Sequence, residues 1–546
     1  MSYQEMLHPW AIARPLPNNI QSVIVGRFRR RVDAEEHLKF LRQRIPAVKF
    51  FNYPHGVTEP IQLIQTHISY VLLTGDYAYK LKKPANFGFL DFSTLEKRKH
   101  FCEEELRLNQ RGAGELYLEV IPLTCVGEEY HLAGTGEAVE YTIKMRQFPQ
   151  ESLFSELFAT GNLQESNLEE LGRVVAQYHA QAHTNDYIRS FGEVSQVRLA
   201  IDENYQQAEK YIGGPQTRAQ FEETKQYTDN FFVQHSELFK SRIDNNYICE
   251  GHGDLHLRNI ALWHDKIMLF DCIEFNEPFR FVDVMYDVAF TVMDIEARGR
   301  KDLGNAFLNA YVEQTGDWEG LQVLPLYLSR QAYVRAKVNS FLLDDPSVPD
   351  VVKEEAAKTA SAYYHQAWEY TKPQQGKLIL MSGLSGAGKS TTAKYLARKL
   401  NAVHLRSDAV RKHLAGISLL ERGGDEIYTP EMTQKTYGRL LALGIILANQ
   451  GWSVILDAKY DRQDLRAEAI SQATEHQLPL YIINCTAPVE VLRQRLLHRT
   501  GDIADATADL LTSQINQSQP FTNQEQSFVT IVDTTLPLDT QLSGLI

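Results

Sequence analysis

Short apolar runs separated by segments of helical length recur through the last third of the chain: Leu378 to Ser382, Ala402 to Leu405, Val454 to Leu456, Leu480 to Asn484 and Phe528 to Val532. Strands alternating with helices of that length imply right-handed crossovers and a parallel sheet, so this part is predicted to be an α/β, doubly wound domain. Upstream the pattern differs. From His67 to Lys83 apolar and polar positions alternate around a Gly75-Asp76 turn, which predicts a β-hairpin ending in a lysine-rich strand. Glu96 to Gln110 has charged helical character, long helical stretches lie within Leu153 to Gln181 and Val197 to Phe239, and further helix runs to about Tyr370. Residues 20–52 read as a small strand–helix–strand unit: Ile20 to Val25, Ala34 to Leu41 and Ala47 to Phe51. The basic run Arg27, Arg29, Arg30 and Arg31 inside it reads as a solvated face.

The segment Thr371-Lys372-Pro373-Gln374-Gln375-Gly376 places Pro and Gly just before an apolar strand and marks a boundary. The expected organisation is therefore an N-terminal extension over 1–52, an α+β domain over 53–370 and the α/β domain over 377–546. A chain of 546 residues is longer than one core usually supports, which agrees with that division. No stretch approaches the roughly 20 uninterrupted apolar residues of a membrane span, and the N-terminus lacks a signal-peptide core. Five scattered cysteines without a Cys-x-x-Cys pair argue against structural zinc and a disulfide framework. A cytoplasmic protein without a membrane partner is expected. The net charge of −13 is carried by the first two thirds, since Lys plus Arg roughly balances Asp plus Glu after residue 370. The missing basic excess disfavours a long nucleic-acid partner.

Two phosphate-handling motifs stand out. The first is Gly251-His252-Gly253-Asp254-Leu255-His256-Leu257-Arg258-Asn259, followed by the apolar run Ile267-Met268-Leu269-Phe270 and Asp271. Phosphoryl transfer needs a carboxylate at the acceptor hydroxyl and oxygen ligands for magnesium. Asp254 is the candidate base, and Asn259 and Asp271 are the candidate metal ligands, at the Asp-x-x-x-x-Asn spacing of a kinase catalytic loop. A soft-metal cluster is disfavoured, because Cys249 and His264 sit at no recognised ligand spacing.

The second motif, Gly383-Leu384-Ser385-Gly386-Ala387-Gly388-Lys389-Ser390, follows a predicted strand and opens a helix with Thr391, the context of a phosphate-binding loop. Its backbone amides would surround the β-phosphate, Lys389 would reach the β and γ oxygens, and Ser390 would bind magnesium. Asp408, after the second strand, is a candidate base, and Arg411, one turn on, a candidate holder of an anionic substrate group. Asp457 ends a strand at a position suited to magnesium. Arg495 and Arg499, read as four apart on one helix, would form a lid over the transferring phosphoryl group.

The first motif resembles the aminoglycoside-phosphotransferase and choline-kinase branch of the kinase-like fold, whose signature is His-Gly-Asp-x-His-x-x-Asn followed by a strand ending in Ile/Phe-Asp-x-x-Glu. That resemblance implies a two-lobed α+β kinase-like domain with a phosphate-binding lysine on the hairpin's second strand. Lys80 is favoured over Lys82, with Glu104 as its ion-pair partner and Glu105 as the alternative. It also implies a hinge strand over Tyr141 to Phe148, and a bracing role for Asp283 and Asp287. The second motif is similar to small P-loop kinases of the chloramphenicol-phosphotransferase, zeta-toxin and polynucleotide-kinase type. Together the halves resemble bacterial fusions of the two domains, and residues 1–52 a fragment of a SPOR-type repeat. The expected function is an ATP- and Mg2+-dependent phosphotransferase acting on hydroxyls of small molecules at two sites. Two alternatives stand beside it: a regulatory ATPase in the P-loop domain, and a nucleic-acid 5′-end kinase there. The sequence carries no signal for oligomeric state.

Overall fold

The computed structural model describes residues 10–15, 22–28, 62–66, 68–126, 129–346, 348–499 and 501–544. Strands β1 (Trp10–Pro15) and β2 (Ser22–Phe28) pair antiparallel. β2 overlaps the strand expected from Ile20, whereas the helix and second strand expected up to Phe51 lie outside the described residues. Beyond them the chain divides into two compact units, residues 1–163 with 250–282, and residues 164–249 with 283–546.

The first unit is built on a six-stranded antiparallel sheet. Its strands are β3 (Gln62–Gln65), β4 (Ser69–Leu73), β5 (Tyr77–Lys82), β6 (Tyr117–Val126), β7 (Glu129–Leu132) and β8 (Glu137–Arg146), in the order β3-β4-β5-β8-β6-β7. The predicted hairpin is β4–β5, and the expected hinge strand is β8. Because side chains alternate along a strand, β5 sends Tyr79 and Leu81 to one face, where they pack with Leu72 and Ile121, and Lys80 and Lys82 to the other. A helix, Leu95–Ala113, begins at Thr94, whose side chain accepts from the Lys97 amide. Cys102 and Ala113 on this helix pack with Tyr117, Ile143 and Met268, on the lysine side of the sheet. After the short strand β9 (Ile248–Glu250) come the hairpin β10 (Ile260–Trp263) and β11 (Lys266–Leu269), and then β12 (Phe281–Asp283).

The second unit contains a helical region and a parallel sheet. The sheet comprises β13 (Lys377–Ser382), β14 (Val403–Arg406), β15 (Ser453–Asp457), β16 (Leu480–Thr486) and β17 (Val529–Asp533). All pairs are parallel, in the order β14-β15-β13-β16-β17, so the doubly wound α/β expectation holds. Its near-continuous apolar strands are covered on both faces, as a parallel sheet requires. In the helical region Arg242 is fully enclosed and bridges Asp283 and Asp317, and His179 reaches Asp287 at 3.2 Å. No helix among the described residues is long and apolar enough to cross a membrane.

Candidate functional site

In the first unit the segment after β9 turns tightly. Gly253 adopts φ +84°, and a Cβ there would lie 2.6 Å from the Phe279 carbonyl, so only glycine fits between His252 and Asp254. His252 is fully buried, and its Nε2 lies 2.9 Å from the Phe270 carbonyl oxygen. Asn259 Nδ2 donates to the Asp254 carbonyl at 2.9 Å and lies 3.3 Å from Asp254 Oδ2. The amide thus holds the loop closed while the Asp254 carboxylate stays partly exposed, next to His256 Nε2 at 3.5 Å. Asp271 follows β11 with a left-handed φ of 63°, an uncommon conformation for a non-glycine residue and one that functional sites often hold.

Lys80 meets both Asp271 and Glu105, the latter at 2.7 Å. Glu105, not Glu104, is therefore the partner from the helix. The cause is helical geometry: Arg98, Cys102, Glu105, Asn109 and Ala113 form one buried stripe, and Glu104 lies 100° away. Glu104 is instead held by Arg107 at 2.8 and 3.0 Å. Lys82, also buried, binds the second oxygen of Glu105 at 2.7 Å and pairs with Glu274. Burial opposes charge on all these groups, but the ion pairs win at Glu105, whose carboxyl is held well below the usual range by the two lysines. Lys80 is likewise kept charged, since Asp271 and Glu105 outweigh its desolvation. The five-membered network of Lys80, Lys82, Glu105, Asp271 and Glu274 was only half legible in the sequence. The alternation in β5 put both lysines on one face, and Cys102 and Leu108, each three residues from Glu105, marked the stripe.

In the second unit the phosphate-binding loop joins β13 to the helix Lys389–Leu400. Gly383 has φ +132°, and a Cβ would lie 2.4 Å from the Cys485 carbonyl, which explains the glycine. The loop is folded on itself: Lys389 Nζ donates to the carbonyls of Gly383 and Leu384, both at 3.0 Å, and the Ser385 amide donates to Gln514 at 3.0 Å. Gly386, Ala387 and Gly388 complete the turn, and Thr391 is exposed in the first turn of the helix. Burial pushes the Lys389 amine down.

Asp457, at the end of β15, would be raised by burial. A hydrogen bond from His404 and the charges of His404 and Arg406, with a further bond from Ser390, instead hold it at about 2. His404 Nε2 is 2.9 Å from Asp457 Oδ2. Nothing in the sequence motif announced His404; only adjacency of β14 and β15 brings it there. Asp408, opening the Ser407–Ala415 helix after β14, feels Arg406, Asp457, Arg411 and Lys389, and burial raises its carboxyl above the usual range. Arg411 is buried, stacks on Tyr428 at 4.9 Å and donates to the Ile427 carbonyl at 2.9 Å. The ligand-type side chains thus gather at the C-terminal ends of the strands, where open α/β sheets bind ligands.

The arginine pair departs from expectation. The helix Val489–Leu497 ends before Arg499, so Arg495 and Arg499 do not share one helical face. Arg495 donates to Thr534 Oγ1 at 2.8 Å and to the Gly386 carbonyl at 3.3 Å, bracing the phosphate-binding loop, while Arg499 donates to the Ala506 carbonyl.

Removing the imidazole in His404→Ala takes away the group that orients the Asp457 carboxylate. Support of this kind is worth about 10–100-fold in metal affinity or activity. The expected outcome is magnesium–nucleotide binding weakened by at least about 10-fold, measured by titration calorimetry, with an unchanged circular dichroism spectrum.

The fold and this geometry define the chain as a P-loop nucleotide-binding protein that also carries a mixed α+β region with its own carboxylate site. A family model described as an AAA domain matches residues 378–520. Over 467 residues the chain is 32% identical to the uncharacterized protein Rv2004c of Mycobacterium tuberculosis, covering 84% of this chain and 90% of that protein. The chain belongs to the family of that protein. It is also 29% identical over 159 residues to the shikimate kinase of Geobacter sulfurreducens, covering 27% of this chain and 81% of that enzyme. A crystal structure of a choline/ethanolamine kinase family protein from Mesorhizobium loti aligns with 61% of this chain and 98% of its own length, at 11% identity and a TM-score of 0.36.

Proposed function

We propose that the chain is an ATP- and magnesium-dependent phosphotransferase with two nucleotide sites, each passing a phosphoryl group to the hydroxyl of a small molecule. The observation that carries this reading is a repeated arrangement. In each unit a candidate base, Asp254 or Asp408, accompanies a second carboxylate held by cationic groups, Asp271 or Asp457. The similarity to shikimate kinase supports a small hydroxylated acceptor at the P-loop site.

In this reading Asp254 and Asp408 each accept the proton of an acceptor hydroxyl as its oxygen bonds to the γ-phosphorus and the bond to the ADP oxygen breaks. Lys80, held by Glu105, faces the phosphates at the first site. At the second, Lys389 leaves its two carbonyls for the β and γ oxygens, and Arg411 holds an anionic group of the acceptor. Asn259 with Asp271, and Ser390 with Asp457, offer only oxygen donors, the set that suits magnesium. Magnesium, when bound, neutralises phosphate charge there.

A base must be deprotonated to act, and burial raises Asp408, so acidification protonates it at a higher pH than an ordinary carboxylate near 3.9. The P-loop site should therefore lose kcat/KM on the acid side above the ordinary carboxylate range. An acid limb at an unshifted carboxylate value would count against Asp408 as the base.

The direct test follows γ-labelled ATP into small-molecule and free-phosphate fractions of a metabolite extract, with wild type, Asp254→Ala and Lys389→Ala. Two labelled products, each lost in a different variant, support the double kinase. Label found only as free phosphate, and abolished by Lys389→Ala, sinks it.

That second outcome would favour a regulatory ATPase, and one observation supports it. The Asn309 side chain accepts the His404 amide at 2.7 Å and, with Asn305, donates to the Ala402 carbonyl, while Arg406 lies 3.9 Å from Glu313 and 4.0 Å from Asp457. One layer of side chains thus separates Asp457 from the helix Lys301–Thr315 of the same unit. In that reading Lys389→Ala also changes the rate at the first site.

A further inference from the structure

Six arginines among the described residues are more than nine-tenths buried: Arg98, Arg242, Arg280, Arg330, Arg411 and Arg466. Four of them meet a carboxylate, Glu140, Asp283 and Asp317, Glu250, and Glu525 respectively. Arg411 bonds a backbone carbonyl beside the P-loop site. Arg330 alone among them makes no hydrogen bond or ion pair to any described residue. It lies on the helix Leu324–Asp344 with 8% of its surface open, and its guanidinium rests on the Tyr286 ring at 4.5 Å. Its Nη1 is enclosed without an acceptor.

An unpaired buried cation is costly in a protein interior, because burial strips the solvation that no partner replaces. The surroundings do not relieve it. Lys337 lies seven residues on, two turns along the same helix face, and its Nζ bonds only neutral oxygens, Asn204 Oδ1 at 2.6 Å and Gln207 Oε1 at 2.8 Å. Burial, reinforced by the charge of Arg330, lowers its amine to about 8, with Glu203 the opposing acidic group. The face therefore carries two cations without a paired carboxylate.

We propose that Arg330 and Lys337 form a binding site for the oxyanion, carboxylate or phosphate, of a small molecule held in the helical region of the second unit. The planar guanidinium, backed by Tyr286, suits two-point recognition of such a group. The proposal does not depend on either phosphoryl-transfer site being active.

The test uses the full chain carrying Lys389→Ala, which weakens the phosphate cradle of the P-loop, and compares it with the same protein bearing Arg330→Gln, Arg330→Lys or Lys337→Gln. Inorganic phosphate and citrate are titrated separately by calorimetry, and circular dichroism confirms folding. One binding event is expected to weaken at least 10-fold in Arg330→Gln and several-fold in Arg330→Lys and Lys337→Gln. Whichever probe binds tighter identifies the oxyanion. Equal affinity for both probes across all four proteins, or no binding lost beyond that of Lys389→Ala itself, overturns the proposal. Should Arg330→Gln fail to fold, the lysine variant and Lys337→Gln carry the same comparison.

Discussion

Glu105→Ala is expected to destabilise the first unit by about 3–5 kcal/mol, the range for breaking a buried ion pair by removing one partner. Glu105 has no exposed surface, and its two oxygens separately bind Lys80 and Lys82, so its loss leaves two cations short of a carboxylate. Glu104→Ala, one residue earlier, removes an acid 2.8 Å from the exposed Arg107 and 3.9 Å from the buried Arg280; both arginines keep Glu250, so the loss is expected to stay near the roughly 1 kcal/mol of a surface pair. Thermal and denaturant unfolding of the two variants should therefore separate clearly. Similar losses would show that Glu105 is not the organising group. The pH dependence has a defined sign. The folded-state pKa of Glu105 is depressed, so its stabilisation is present above the ordinary carboxylate value and is lost as pH falls through the depressed one.

Lys389→Ala and Asp254→Ala should each abolish one transfer and spare the other. A general base contributes about 10²–10⁴-fold, so Asp254→Ala is expected to reduce the first transfer within that range. Removing one preorganised charge-stabilising donor typically costs about 10²–10³-fold in kcat, and Lys389 supplies a full cation inside a loop otherwise made of amides. Single-turnover transfer measured for each product separately checks both. Loss of both products in either variant would show that the two sites act as one pathway and not independently.

Much of the local geometry of the candidate sites is legible in the sequence because it is short-range. The loop Gly383 to Ser390, the Asp254 to Asn259 spacing and the strand-terminal Asp457 each depend on residues a few positions apart, whose geometry follows from one turn, one strand end or one helix start. The alternation 79, 80, 81, 82 likewise separated the core side of β5 from its lysine side. The missteps arose where a one-residue phase mattered. Glu104 and Glu105 differ by 100° around a helix, and sequence spacing alone left both open. Arg495 and Arg499 share a helical spacing, but the helix ends at Leu497.

The sequence by itself thus determined the two fold classes and the phosphate-binding loop, because strand alternation, helix period and tight turns are short-range consequences of the residues present. Tertiary structure alone decided which groups the acidic side chains meet. His404 reaches Asp457 because β14 lies beside β15, Glu105 is shared by two lysines because one helix face covers the sheet, and Arg330 makes no ion pair among the described residues. Such pairings join residues tens to hundreds of positions apart, and packing, which excludes water and so sets the cost of every buried charge, selects among them.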